Sequence, residues 1–149
     1  MKTKTYSFFD AKKKSVDFQE ICKSLKAAST GSIVVLPSSA YNPAGVEPSG
    51  DQWRAIAKMF KEKGLFVLFD SVGQGLVSGD IKKDNLSIQT FLEEEVQVVV
   101  CQSLSSSLGI YGEKVGFLHV VCGSKEVAGK VLEQLKYFIR FSFSLCVDL

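Results

Sequence analysis

Histidine is nearly absent from this chain. Its 149 residues include one, His119, and four cysteines, Cys22, Cys101, Cys122 and Cys146, spaced 79, 21 and 24 residues apart with no C-x-x-C pair. That scarcity excludes a zinc site of the usual cysteine and histidine spacing and gives no sign of a disulfide framework. The thiols are read as free and buried, which points to a reducing compartment. Charge of one sign is lacking too: 18 basic against 16 acidic side chains leave a formal net charge of +2. So small a charge makes no case for nucleic acid or an anionic membrane as a partner. The single dense basic run, Lys12-Lys13-Lys14 beside Asp10 and Asp17, reads as a solvated turn. No stretch approaches the ~20 apolar residues of a membrane span. Met1 to Asp10 has no apolar stretch long enough for a signal peptide, so the expected location is the cytoplasm.

Apolar residues are plentiful, at 46% of the chain. A chain of this length forms one domain and buries roughly 68–70% of its unfolded surface. Asp17 and Glu20 have capping-box spacing, and Phe18, Ile21, Cys22, Leu25 and Ala28 recur at helical spacing, predicting a helix over 17–28. Ile33 to Leu36 is a continuous apolar run before Pro37, expected to be a strand buried on both faces. Residues 41–50 hold two prolines and two glycines and are expected to be irregular. Ser49 and Gln52 form a second capping box for a helix carrying Trp53, Ile56, Ala57 and Phe60, stopped by Gly64. A strand from Leu65 to Phe69 ends at Asp70, a glycine-rich loop follows, and 84–94 reads as a helix. Val96 to Cys101 and Val115 to Cys122 are further strands. Ser124 is placed to cap a last helix with Val127, Val131, Leu135 and Phe138 facing inward.

Alternation of helix and buried strand predicts an α/β fold with a mostly parallel sheet and crossover helices. Only 13 residues, Gln102 to Lys114, separate the third and fourth strands, too few for a comfortable helical crossover, so the fourth is open to antiparallel pairing. In such sheets ligands sit outside the carboxyl ends of the strands. Asn42, Asp70, the serine-rich segment 102–109 and Lys114 all fall at that edge. Hydroxyls and loop N–H groups beside a cation suit an anion, and a carboxylate suits a protonated ring nitrogen. The pattern predicts a site for a phosphate-bearing cofactor. No G-x-G-x-x-G precedes a helix and no Walker-type motif exists, and His119 reads as structural.

Three segments are more specific. Tyr41-Asn42-Pro43-Ala44-Gly45-Val46-Glu47-Pro48 resembles the HNPTGxDP segment of aspartate aminotransferases. Phe69-Asp70-Ser71-Val72-Gly73-Gln74-Gly75-Leu76 is similar to their FD-S-A-Y-Q-G-F stretch, and 102–116 resembles their QSFSKNFGLYxERVG. The order and spacing agree, and the resemblance runs from about Tyr6 to about Ser144. By these motifs the chain is identified as a member of the class I pyridoxal-phosphate-dependent aspartate aminotransferase family, closest to its diverged cytosolic, aspartate aminotransferase-like branch.

The resemblance implies part of the large domain of a fold-type-I pyridoxal phosphate aminotransferase over 6–144, with a divergent tail over 145–149. It implies pyridoxal phosphate as cofactor, a dicarboxylic amino acid as substrate, and a homodimer or a heterodimer with a homologue. By motif, Asn42 would hydrogen-bond the cofactor's phenolic oxygen and Asp70 would pair with its ring nitrogen. Ser103 and Ser105 would contact the phosphate. Lys114 stands where the family has a phosphate-binding arginine, keeping charge but losing the bidentate fork. Arg140 matches the arginine that grips a substrate's distal carboxylate across the dimer.

Departures from the pattern decide the functional expectation. Ser106 occupies the position of the lysine that holds the cofactor, Gly73 that of a tyrosine, and Ala44 that of a threonine. A serine hydroxyl forms no imine and is a poor base near neutral pH. The resemblance also implies a shortened form, without the family's N-terminal portion or C-terminal small domain. The expectation is a catalytically inactive relative of the enzymes that move the amino group between aspartate and 2-oxoglutarate. Two alternatives stay open: a weakly active enzyme of altered chemistry in a longer form, and an interaction module that pairs with an intact homologue.

Overall fold

The computed structural model describes residues 3–143. The tail expected over 145–149, and Cys146 within it, lie outside the described residues. Near the start, β1 (Phe9–Asp10) and β2 (Ser15–Val16) form an antiparallel hairpin whose turn carries the three lysines. The Asp10 carboxylate accepts from the Lys12 and Lys13 amides at 2.9 and 3.1 Å, so the basic run is a capped, solvated turn.

Helix α1 (Phe18–Ala27) starts where the capping signal placed it, with Asp17 accepting from the Glu20 amide at 3.1 Å. The return half of that box is replaced: Asp17 N–H donates to the Phe8 carbonyl and Glu20 pairs with Lys23. Helix α2 (Gly50–Lys63) has the complete reciprocal box of Ser49 and Gln52, and Gly64 closes it in the left-handed region at φ 60°. The helix expected over 84–94 is split into a short α3 (Ile81–Asp84) and α4 (Leu86–Glu93), because Asn85 ends the first and begins the second.

The main sheet has the order β3 (Ile33–Pro37), β4 (Phe66–Val72), β5 (Val98–Ser103), β6 (Gly116–Val120). The first three strands are parallel, and β6 pairs antiparallel to β5, as the short connection allowed. In that connection sits the four-residue α5 (Ser105–Leu108). Gly116 is required where β6 begins, since a Cβ there would collide with the Gln102 carbonyl oxygen of β5. A sheet that grows in one direction through right-handed crossovers puts its helices on one face. There Trp53, Phe60, Phe69 and Phe91 form the centre of the core, with Ile21, Leu36, Ile56, Val67 and Val98 around them.

The opposite sheet face is where expectation and structure part. β3 is an edge strand, and Ile33, Val35 and Phe66 are 65%, 53% and 52% exposed, so these strands are buried on one face only. A continuous apolar run reports two apolar faces, and among the described residues a helical layer covers one of them. The last helix, α6 (Lys125–Phe143), is capped by Ser124 as expected, but Val127 and Phe138 are exposed and Val131 and Leu135 half-buried rather than inward. Its apolar stripe is present without a packed partner among the described residues. Among the described residues the three thiols are free yet not buried: Cys22 and Cys122 are partly accessible and Cys101 is exposed on the open sheet. The chain's accessible surface of 10545 Å² exceeds the roughly 7,500 Å² expected of a folded monomer of 16.3 kDa. No described helix is long and apolar enough to cross a membrane.

Candidate functional site

The carboxyl ends of β3 and β4 set the site. Pairing continues past the point where the sequence placed the end of the second strand: Asp70 lies inside β4, opposite Pro37 on one side and Cys101 on the other. Its carbonyl also accepts from the Ser38 amide at 3.0 Å, so backbone bonding carries the strand to Val72. Side chains alternate across a strand, and Asp70 is exposed between buried Phe69 and Ser71.

After β3 the chain turns back at once. Tyr41 N–H bonds the Val46 carbonyl at 2.9 Å and Gly45 N–H the Tyr41 carbonyl at 2.7 Å, with a cis Asn42–Pro43 peptide between. The Tyr41 ring stacks on Phe8 with centroids 4.6 Å apart, which ties this turn to the N-terminal hairpin. The result is an open cleft of about 350 Å³ with Tyr6, Ser39, Tyr41, Asn42, Asp70 and Val72 among its walls. Two of the residues singled out from sequence, Asn42 and Asp70, therefore share one cleft. Tyr6 donates its hydroxyl proton to the Val35 carbonyl at 2.7 Å. Burial, with the Tyr41 phenol adding to it, pushes the Tyr6 phenol up to about 12, so it stays protonated across the ordinary pH range.

The serine segment lies one strand over. Gln102 and Ser103 are the last residues of β5 rather than loop, because their pairing to β4 and β6 persists through Ser103. Ser103 sits opposite Val72 of the cleft wall, and its hydroxyl accepts from the Ser105 amide at 3.3 Å, turning the chain into α5. Ser105 and Ser106 open that helical turn and are half-buried. Lys114 precedes β6 at φ 48°, exposed, next to the Val115 carbonyl that accepts from the Leu104 amide at 3.0 Å. None of Ser103, Ser105 and Lys114 lines the cleft itself. Arg140 is exposed near the end of α6 and does not reach the cleft. Gly73 leaves β4 at φ +77°, a backbone conformation that suits glycine and strains a residue with a Cβ.

A polar chain joins these parts. Gln74 bridges the Asn85 and Gln102 side chains, its carbonyl accepts from the Ser107 hydroxyl at 3.2 Å, and Gln102 Oε1 lies 3.2 Å from His119 Nε2. His119 is thus exposed and partnered. Beneath the 73–80 loop, the Asp84 carboxylate takes the amides of Gly75, Val77 and Ser78 at 2.8–3.1 Å and the Ser78 hydroxyl at 2.6 Å. Ser39 and Asp84 carry no sequence signal of their own, whereas Gln74 lies within the motif over 69–76 and Tyr6 only near the start of the resemblance. They matter because chain segments far apart in sequence meet there. Among the described residues no group of three or more histidine, cysteine, aspartate or glutamate side chains could hold a metal ion.

The family model described as aminotransferase class I and II matches residues 1–147. The chain is 43% identical over 141 residues to chloroplastic aspartate aminotransferase 3 of Arabidopsis thaliana, covering 95% of this chain and 31% of that protein. It is 39% identical over 141 residues to the cytoplasmic aspartate aminotransferase of Oryza sativa subsp. japonica, covering 95% and 35%. Among solved structures it matches an aromatic-amino-acid aminotransferase of Burkholderia pseudomallei covalently bound to pyridoxal phosphate. That match has a TM-score of 0.89 at 34% identity, over 93% of this chain and 35% of the other. The chain spans about a third of the length of the relatives it matches.

Proposed function

The chain is a member of the class I and II aminotransferase family, and on that premise we propose that it is an aspartate aminotransferase-like protein whose cleft takes pyridoxal phosphate without catalysing amino transfer. Ser106 is the observation that carries the second half of this reading, because it stands where the family motif has its lysine. Amino transfer needs an amine there to hold the cofactor covalently and to carry a proton to and from the substrate's α-carbon. A half-buried hydroxyl in α5 does neither.

The two motif residues on the cleft wall, Asn42 and Asp70, fit the ring of the cofactor, while the phosphate-side residues stand beyond that wall. Asp70 offers the cleft an exposed carboxylate in no ion pair among the described residues, and Asn42 offers a carboxamide on the same wall. When bound, pyridoxal phosphate supplies an electron sink for the α-carbon of an amino acid. Asp70 would hold a proton on the ring nitrogen, and Asn42 would hydrogen-bond the phenolic oxygen. Ser103, Ser105 and Lys114 would face the phosphate, the last as a single ammonium in place of a bidentate guanidinium. Arg140, remote from its own cleft, would serve the site of a second subunit. Pairing with another copy or a homologue belongs to this reading, supported by the uncovered sheet face and the unpartnered stripe of α6. A cytoplasmic location is supported by the free thiols and by the rice relative.

The test is a coupled assay of aspartate with 2-oxoglutarate at saturating pyridoxal phosphate. The expected rate is that of the cofactor without protein. A protein-dependent rate that disappears in Asp70→Ala would overturn the proposal of inactivity.

A further inference from the structure

Asn42 and Asp70 stand on the cleft wall, whereas Ser103, Ser105 and Lys114 stand outside it. The wall also carries the Tyr6 and Tyr41 rings and the apolar side chains of Val35 and Val72. Mostly apolar walls with a few convergent polar groups suit a flat heteroaromatic ring with polar atoms on its edge. Asp70 is the one charged side chain on that wall, and among the described residues it forms no ion pair. No described basic side chain lines the cleft.

The phosphate side is built differently. Ser103 pairs with Val72 in the sheet, but its hydroxyl already accepts from the Ser105 amide at 3.3 Å. The Leu104 amide is bonded to the Val115 carbonyl at 3.0 Å. Two amides at the start of α5 are thus committed, and four residues of helix carry little dipole to aim at an anion. Lys114 is exposed, a single ammonium on a flexible stem whose pull on an anion is screened by water. A phosphate ester beside the cleft would also meet the like charge of the Asp70 carboxylate.

We propose that the cleft selects the hydroxypyridine ring and not its phosphate, so that it takes the unphosphorylated amine pyridoxamine about as well as pyridoxamine phosphate. This rests on the reading of the cleft as a pyridoxal phosphate site and names the ligand class of that site. The ring is common to both amines: Asp70 meets the protonated ring nitrogen and Asn42 the phenolic oxygen in each. The ammonium of pyridoxamine suits a cleft whose one charged group is a carboxylate.

The experiment is calorimetric titration of the full chain, wild type and Asp70→Asn, with pyridoxamine and with pyridoxamine phosphate. Neither amine carries an aldehyde, so neither forms an imine with surface lysines. Wild type is expected to bind the phosphate ester no more than about fivefold more tightly than pyridoxamine, the most that an exposed ion pair adds. Asp70→Asn is expected to bind both about tenfold more weakly, because an amide cannot pair with the charged ring nitrogen. A larger preference for the ester overturns the proposal and leaves the cofactor reading standing. Unchanged affinity for pyridoxamine in Asp70→Asn also overturns it, since the ring would then lie elsewhere. Failure of wild type to bind either amine removes the cofactor reading, and this proposal with it.

Discussion

Replacing Phe91 with alanine is expected to lower unfolding stability by about 3–5 kcal/mol, read as a drop in the denaturant midpoint at unchanged slope. Phe91 is fully buried on α4, and its ring meets three others: Phe69 at 5.0 Å, Phe60 at 5.1 Å and Trp53 at 6.3 Å between centroids. All three contacts are edge-on, which adds to the apolar area buried. Through them α4 is joined to α2 and to β4, the strand that carries Asp70. Among the described residues the core is one-sided, so no second layer is available there to collapse into the cavity. Against a total stability of roughly 5–15 kcal/mol such a loss brings the chain to the edge of unfolding. A cost below about 1 kcal/mol would mean that the aromatic cluster does not hold α4 on the sheet.

The second large effect is at Asp84. Its carboxylate accepts from three loop amides and the Ser78 hydroxyl, and it is 3% exposed. Burial alone would raise its pKa. The hydrogen bonds from Ser78, Val77 and Gly75 outweigh that and hold the carboxyl below the usual carboxylate range. Asp84→Ala leaves those donors without their acceptor and is expected to cost on the order of 3 kcal/mol, releasing the 73–80 loop.

The pH dependence has a definite sign. A carboxyl with a lowered folded pKa contributes stability that is present above its unfolded pKa, near 4, and is lost as pH falls through the folded value. Glu47 acts in the opposite direction: burial, then the charge of Asp84, raises its pKa, so protonating it relieves the fold as pH falls. In wild type Asp84 therefore contributes a loss of stability on the acid side. In Asp84→Asn that loss is expected to shrink, and Glu47 to titrate closer to its ordinary value. Melts between pH 3 and 7 check both, and an unchanged acid limb in Asp84→Asn would contradict the role given to this carboxylate.

Much of the architecture was legible in the sequence. The three N-caps at Asp17, Ser49 and Ser124, the left-handed stop at Gly64 and the antiparallel β6 follow from local chemistry, since caps and short connections depend on a few adjacent residues. The gathering of Asn42 and Asp70 in one cleft was legible as well, from the rule that ligands meet strand carboxyl ends. The strands run past Asp70 and Cys101, where the polar residues suggest an end, because ladder pairing is a backbone matter. The open sheet face was hidden for another reason. Ile33, Val35 and Phe66 look the same in sequence whether a helix lies over them or not. Asp84 was invisible because its significance comes from partners that only the folded chain defines.

On the proposed reading the cleft takes pyridoxal phosphate and serine at the lysine position silences it. Borohydride reduction of cofactor-saturated protein, wild type beside Ser106→Lys, tests it most directly. The expected result is reversible absorbance binding in both, with covalent label after reduction in Ser106→Lys alone. Covalent label on the wild-type chain at a stoichiometric level, or no binding by either protein, would contradict it.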